Sequence, residues 1–342
     1  MELLRPNIRE LTPYKAESLP YKIKLDIMEN PYTLPEDIKS KIKEAIDEIS
    51  LNRYPDPTAS TLKEELSIYT GVSEDMIVVG NGSDELVLYI LLTFGKRAIF
   101  PTPTFPIYSI LSQVTSTEPC PIRLECGFEI DEKAVIAKAK EVPSVVFLPY
   151  PNNPTGNCFD RERIFRIIEE TESLIVIDEA YYEFSKKSFV RELSSHKNLI
   201  ILRTFSKAFG LAGIRCGYLI ADQKITEKVN KVRLPYNLNV LSQEIALVVL
   251  KEREWVEKIV DEIIAEREHL YKELMELSEI EVFPSEANFL FFKGKDPHSI
   301  YTQLVKEGIL IKETAGGLRV TIGKHDENRA FISALKMVLD KR

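Results

Sequence analysis

Cysteine and histidine are scarce in this chain of 342 residues, with four of each and a single tryptophan. None of Cys120, Cys126, Cys158 and Cys216 forms a Cys-x-x-Cys pair. That argues against a zinc site or a disulfide framework and for a reducing, cytoplasmic setting, so no metal is expected. Long apolar runs are missing too, and nothing approaches the length of a membrane span. The opening stretch, MELLRPNIRELTPYKAESLP, places prolines and charges where a signal peptide carries its apolar core. Positive charge is not in excess either. The net charge of −8 argues against a general nucleic-acid binder, so an anionic ligand would have to be met by a local positive site.

Hydrophobic residues make up 44% of the chain and charged ones 29%, as in an ordinary globular protein. The length suggests about two domains. Residues 1 to 22 read as an extended arm, because Pro6, Pro13 and Pro20 interrupt any helix. Residues 35–50 have helical apolar spacing at Ile38, Ile42, Ile46 and Ile49. Asn52-Arg53-Tyr54-Pro55-Asp56-Pro57 is a stiff polar loop that reads most simply as a turn.

From Met76 onward, short apolar strands alternate with loops and helices. The runs at 76–79, 98–100, 144–148, 174–177 and 198–202 each end in a polar cluster. Such runs indicate a mostly parallel sheet covered on both faces, with ligands gathering beyond the carboxyl ends of its strands. After Arg233-Leu-Pro-Tyr-Asn237 the texture changes. A long charged helical region, 240–277, precedes short strands and two further helices, which read as a smaller α+β unit. The expected division is an arm at 1–30, a large domain at 31–238 and a small domain at 239–342.

Several strand-end clusters carry possible chemistry. Gly80-Asn-Gly82-Ser83-Asp84-Glu85 is a poor dinucleotide fingerprint, because Glu85 stands where a third glycine belongs. It suits a phosphate cradle, with free N–H groups opening a helix, and it equally suits an ordinary helix cap. Asp178 closes an apolar strand, where a carboxylate needs a cation: a protein Arg or Lys, or a protonated heterocyclic nitrogen. Tyr181 and Asn153 stand at neighbouring strand ends. Lys207, in Arg203-Thr-Phe-Ser206-Lys207-Ala-Phe-Gly, is either a surface lysine or an amine made nucleophilic by apolar surroundings. Taken together, a phosphate cradle, a ring-nitrogen carboxylate and an activated lysine match pyridoxal 5′-phosphate.

The series GNGSDE, PTPTFPIY, PNNPTG, DEAYYEF, RTFSKAFGLAGIRCGY and GLRVTIG resembles the fold-type I aminotransferases, and within them the histidinol-phosphate aminotransferases. LDIMENPY, NRYPDP and VRLPYNLN are similar to that subgroup as well. The resemblance implies a seven-stranded, mostly parallel sheet sandwiched by helices in the large domain, and a homodimer with a shared active site. It implies Lys207 as the Schiff-base lysine and proton shuttle, Asp178 on the pyridine nitrogen, and Asn153 and Tyr181 on the ring oxygen. Phe105 would stack on the ring. Gly82, Ser83, Asp84, Ser206 and Arg215 would hold the phosphate, with Tyr54 reaching over from the second subunit. Arg319 would clamp the substrate carboxylate, and Tyr14 and Asn30 would join the substrate pocket. One position departs from the pattern: Lys312 stands where the family commonly has an arginine for the substrate phosphate. The implied reaction is transamination of L-histidinol phosphate with 2-oxoglutarate. An aromatic-amino-acid aminotransferase and a decarboxylase or lyase on the same cofactor are its rivals. A nicotinamide dehydrogenase is the reading from another class.

Overall fold

The computed structural model describes residues 3–9, 11–12 and 19–340. In chain order the strands are β1 (Ile23–Lys24), β2 (Ile77–Gly80), β3 (Arg97–Thr102), β4 (Glu118–Arg123), β5 (Val145–Pro149), β6 (Leu174–Asp178) and β7 (Leu199–Thr204). They continue with β8 (Gly217–Ala221), β9 (Ile280–Phe283), β10 (Phe289–Gly294), β11 (Ile309–Leu310), β12 (Lys312–Thr314) and β13 (Gly317–Thr321).

Seven of these form the main sheet, in the order β2-β8-β7-β6-β5-β3-β4. Only β8 runs against its neighbours, pairing antiparallel with both β2 and β7. The apolar runs are continuous because each strand is covered on both faces. Val146, Leu148, Ile175, Ile177 and Ile201 pack into one apolar cluster, while Val145, Phe147, Val176, Ile200 and Leu202 pack into another. A second sheet, β12-β13-β10-β9, is antiparallel throughout. It is accompanied by the helices Pro297–Lys306 and His325–Asp340.

Some expectations need correction. One helical turn, Pro6–Arg9, interrupts the arm that the prolines suggested would be extended. Proline is at home in the first position of a helix, where its missing N–H costs nothing. The turn is held by Asn7, whose Nδ2 donates to the Gln113 carbonyl at 2.6 Å. The helical region after residue 239 is two helices, Val240–Lys251 and Arg253–Met275, broken at Glu252. The first of them packs on Glu36–Asp47 and Ser60–Thr70. β1 joins the chain's start to its end, pairing parallel with β11. Among the described residues no helix is long and apolar enough to cross a membrane. Nor does any cluster of His, Cys, Asp and Glu among them suit a metal ion.

Candidate active site

The carboxyl ends of β5, β6 and β7 and the start of helix Ser83–Phe94 open onto one cavity. Ser83, Asp84, Phe105, Asn153, Asp178, Tyr181, Ser206, Lys207 and Arg215 all line it. Nine of the expected residues, drawn from five separate stretches of sequence, thus meet at one place.

Asp178 ends β6, Glu179 follows it directly, and the two meet different fates. Both are buried. Glu179 has its cation: Oε2 accepts from Arg203 Nε at 3.0 Å and Nη2 at 2.8 Å, and the guanidinium lies 3.6 Å over the Tyr182 ring. Asp178 pairs with no Lys or Arg among the described residues. It accepts instead from Tyr108 Oη at 2.6 Å and from the Ala180 N–H at 3.1 Å. Burial pushes its pKa up to about 6, with those two hydrogen bonds pulling the other way. A buried carboxylate in this state favours a cationic guest. Tyr108 was not expected here. Its ring stacks on Phe147 with centroids 4.8 Å apart and meets Phe105 edge-on at 6.2 Å.

Lys207 follows β7 in the turn after Ser206. Its Nζ donates to the Ile27 carbonyl at 3.1 Å and sits 5.9 Å from the Tyr181 ring centre. Burial first, and then the positive charges of Arg319 and Arg215, hold its pKa down to about 8, while Asp84 and Glu29 pull it back. Near neutrality the amine is still mostly protonated, but its neutral, nucleophilic form is far better populated than that of an ordinary lysine.

The cradle is built around Gly82 and Arg215. Gly82 has φ +83°, and a Cβ there would sit 2.5 Å from Arg215 Nη2. Only glycine lets the guanidinium approach the turn so closely. Arg215 itself is left-handed, with φ +53°. It donates to Asp84 Oδ2 at 3.1 Å and to Ser206 Oγ at 3.4 Å. The helix Ser83–Phe94 has no side-chain cap, so its first N–H groups are available to an anion.

Arg319 is not in the cavity lining but reaches it through Asn153: it donates from Nη1 to Asn153 Oδ1 and from Nη2 to the Asp26 carbonyl at 2.6 Å. Asn153 Nδ2 in turn donates to Tyr181 Oη at 3.4 Å. Burial raises the Tyr181 pKa, while Arg319 and Asn153 lower it. Lys312 is the register partner of Arg319 on the adjoining strand. Asn30 does not line the cavity. Its Nδ2 donates to the Ala208 carbonyl at 2.9 Å, tying the arm to the turn that carries Lys207. Tyr54 is 81% exposed and stacks on Tyr236, away from its own chain's cavity. Tyr14 lies outside the described residues.

The family model for aminotransferase class I and II matches residues 20–335. The chain belongs to that family. Its α/β architecture is that of the fold-type I aminotransferases. Among its relatives is a histidinol-phosphate aminotransferase of Caldanaerobacter subterraneus subsp. tengcongensis. It is 42% identical, over 98% of this chain and 99% of that one. Another, from Pyrococcus furiosus, is 41% identical, over 98% of this chain and 97% of that one. The crystal structure of the Clostridium acetobutylicum histidinol-phosphate aminotransferase superposes with a TM-score of 0.87 at 28% identity. That match covers 94% of this chain and 100% of that one. A Sinorhizobium meliloti histidinol-phosphate aminotransferase, solved in complex with pyridoxal 5′-phosphate, has the same fold, with a TM-score of 0.89 at 22% identity. It covers 100% of this chain and 98% of that one.

The residues of this aminotransferase fit pyridoxal 5′-phosphate on its own geometry. Asp178 is a buried carboxylate with no Lys or Arg partner among the described residues, suited to a protonated ring nitrogen. Gly82 leaves the space in which Arg215 faces an uncapped helix start, suited to a phosphate. Lys207 is an amine held partly neutral in the same cavity.

Proposed function

We propose that this chain is a cytoplasmic, homodimeric aminotransferase of histidine biosynthesis that binds pyridoxal 5′-phosphate. In this reading it converts L-histidinol phosphate and 2-oxoglutarate to imidazole-acetol phosphate and glutamate. The observation that carries the reading is the meeting of Lys207 and the cation-free carboxylate of Asp178 in one cavity. Similarity to histidinol-phosphate aminotransferases over nearly the whole chain supports the substrate.

Bound pyridoxal 5′-phosphate supplies an aldehyde for Schiff-base formation and a ring that accepts electron density from the substrate Cα. The remaining work falls to the protein. Asp178, ionised when a cation faces it, keeps the ring nitrogen protonated. Tyr108 orients that carboxylate from below. Gly82, Ser83, Asp84, Ser206 and Arg215 hold the phosphate, and Phe105 covers one ring face. Asn153 and Tyr181 hydrogen-bond the ring oxygen. Lys207 Nζ would attach the cofactor through its amine and would hold and move the proton of the substrate Cα. Arg319 grips an α-carboxylate as a planar fork in the glutamate half-reaction. Lys312, one strand away, meets the substrate phosphate as a point charge. Tyr54 serves the partner subunit, consistent with its exposure and its absence from the lining of its own cavity. In the same reading the chain divides into an arm at 1–30, a large domain at 31–238 and a small domain at 239–342.

The rival reading is an aromatic-amino-acid aminotransferase; Tyr108, an aromatic in the cavity lining, has its hydroxyl committed to Asp178. Steady-state kinetics with histidinol phosphate, histidinol and phenylalanine, each against 2-oxoglutarate, tests the choice. The proposal requires kcat/KM to be highest for the phosphate ester. A preference for phenylalanine would overturn it.

A further inference from the structure

Residues 233–237, Arg-Leu-Pro-Tyr-Asn, line no part of the cavity, yet they grip two segments remote from each other in the chain. The first is the cofactor turn. Asn237 Nδ2 donates to Glu85 Oε2 at 2.7 Å and to the Val79 carbonyl at 3.3 Å. The same Glu85 oxygen accepts the Asn81 N–H at 2.7 Å. Glu85, standing where a dinucleotide fingerprint has glycine, therefore pins the turn that precedes Ser83.

The second segment is the Tyr54 loop. Arg233 Nη1 donates to the Pro57 carbonyl at 2.8 Å and to Asn237 Oδ1 at 2.9 Å. Gln243 Nε2 adds a bond to the Asp56 carbonyl at 3.1 Å. The Tyr236 ring stacks on that of Tyr54, with centroids 4.5 Å apart and planes 21° apart. Tyr236 achieves this with φ +57°, a left-handed backbone that is costly for a bulky residue. Both rings remain exposed, so burial within the chain does not offset that cost.

The geometry points to residues 233–237 as a positioning clamp that ties the phosphate turn of one subunit to the Tyr54 loop serving the other. Asn237, acting through Glu85, fixes the N–H groups around Gly82 and Ser83. Arg233 and Tyr236 hold the Tyr54 phenol out in the pose the partner's phosphate site needs. These three are positioning residues. The inference rests on the proposed reading that residues 82–84 and Arg215 hold the cofactor phosphate and that Tyr54 completes the partner's site. It adds a specific consequence: the clamp acts on phosphate recognition and leaves ring recognition alone.

The test uses the full-length chain, freed of cofactor and titrated by visible absorbance with pyridoxal 5′-phosphate and with pyridoxal, which lacks the phosphate. Asn237→Asp keeps the acceptor for Arg233 and turns a carboxylate toward Glu85. It is expected to weaken pyridoxal 5′-phosphate binding about 10-fold, as loss of a part-buried hydrogen bond to a charged group does, with pyridoxal binding unchanged. Tyr236→Ala, at an exposed position, should shift the same preference in a chain that sedimentation shows to be dimeric, and Tyr236→Phe should restore it. Thermal melting checks that each variant folds. If Asn237→Asp and Tyr236→Ala weaken both ligands alike, or neither, the clamp is only structural and the inference is wrong. Arg215→Ala is the control for the underlying reading. Should it leave the preference for the phosphorylated ligand intact, the phosphate site itself is misassigned, and the clamp falls with it.

Discussion

Lys312 of β12 lies directly opposite Arg319 of β13 in an antiparallel pair, so both side chains leave the same face of the sheet. Like charges placed opposite one another oppose folding unless an anion joins them. In the proposed reading this pair serves the anionic groups of the substrate. Lys312→Ala is expected to raise KM for histidinol phosphate about 10- to 100-fold, the worth of a charge-assisted contact. kcat should change little, and the KM for unphosphorylated histidinol should not move. Lys312→Arg, which supplies a planar fork, should lower KM for the phosphate ester.

Asp178 gives a pH signature. Its folded pKa, about 6, lies above the ordinary carboxylate value, so the folded chain binds this proton more tightly than the unfolded one. The stability this group contributes is complete below the unfolded pKa and is lost as pH rises through 6. Relative to that, the ionised group costs the cofactor-free protein about 3 kcal/mol at pH 7.5. Melting curves of cofactor-free Asp178→Asn and the parent, taken from pH 4.5 to 7.5, should therefore separate in the variant's favour as pH rises. In the holoenzyme the same substitution should lower kcat by about 100-fold or more, because the charge facing the ring nitrogen is gone.

Tyr108→Phe removes the hydroxyl that holds Asp178 and leaves a buried acceptor short of a donor. A stability loss of about 1–3 kcal/mol is expected by denaturant titration. The Asp178 pKa should rise further, since this hydrogen bond lowers it. In activity profiles, the acid limb assigned to Asp178 should move to higher pH.

Lys207 is held down to about 8, so its neutral, nucleophilic fraction grows as pH rises from 7 to 9. The rate at which pyridoxal 5′-phosphate becomes covalently attached to the cofactor-free chain should climb across that interval and level off above it. Stopped-flow absorbance reads this directly. Lys207→Ala should abolish the pH-dependent phase.

Gly82→Ala would place a methyl 2.5 Å from Arg215 Nη2 at a φ of +83°. Both the backbone strain and the displaced guanidinium act against the phosphate site. Cofactor affinity should fall about 10-fold or more, with a lower melting temperature.

Much of the site was legible because a parallel sheet brings distant strand ends together. Once 144–148, 174–177 and 198–202 read as adjacent buried strands, Asn153, Asp178 and Lys207 had to converge. β4 was illegible for a local reason. Its sequence, Glu-Pro-Cys-Pro-Ile-Arg, carries two prolines, which a strand tolerates at a sheet's edge, where β4 lies. β8 was hidden in the tail of the Lys207 stretch, and nothing local says that it runs antiparallel between β2 and β7. Tyr108 stands at the end of the PTPTFPIY stretch with nothing local to show what it meets. Its bond to Asp178 spans 70 residues and follows from how the helix Ile107–Thr115 packs. Tyr54 was readable as a site residue only through resemblance, since its own chain leaves it exposed.

The central claim is that the amine of a phosphate ester is exchanged at the cofactor tied to Lys207. A single-turnover absorbance experiment tests it most directly. The holoenzyme is mixed with L-histidinol phosphate, without 2-oxoglutarate, and the cofactor band is followed. The account predicts stoichiometric conversion of the cofactor to its aminated form, reversed by 2-oxoglutarate and absent in Lys207→Ala. No conversion with the phosphate ester, alongside full conversion with phenylalanine, would contradict it.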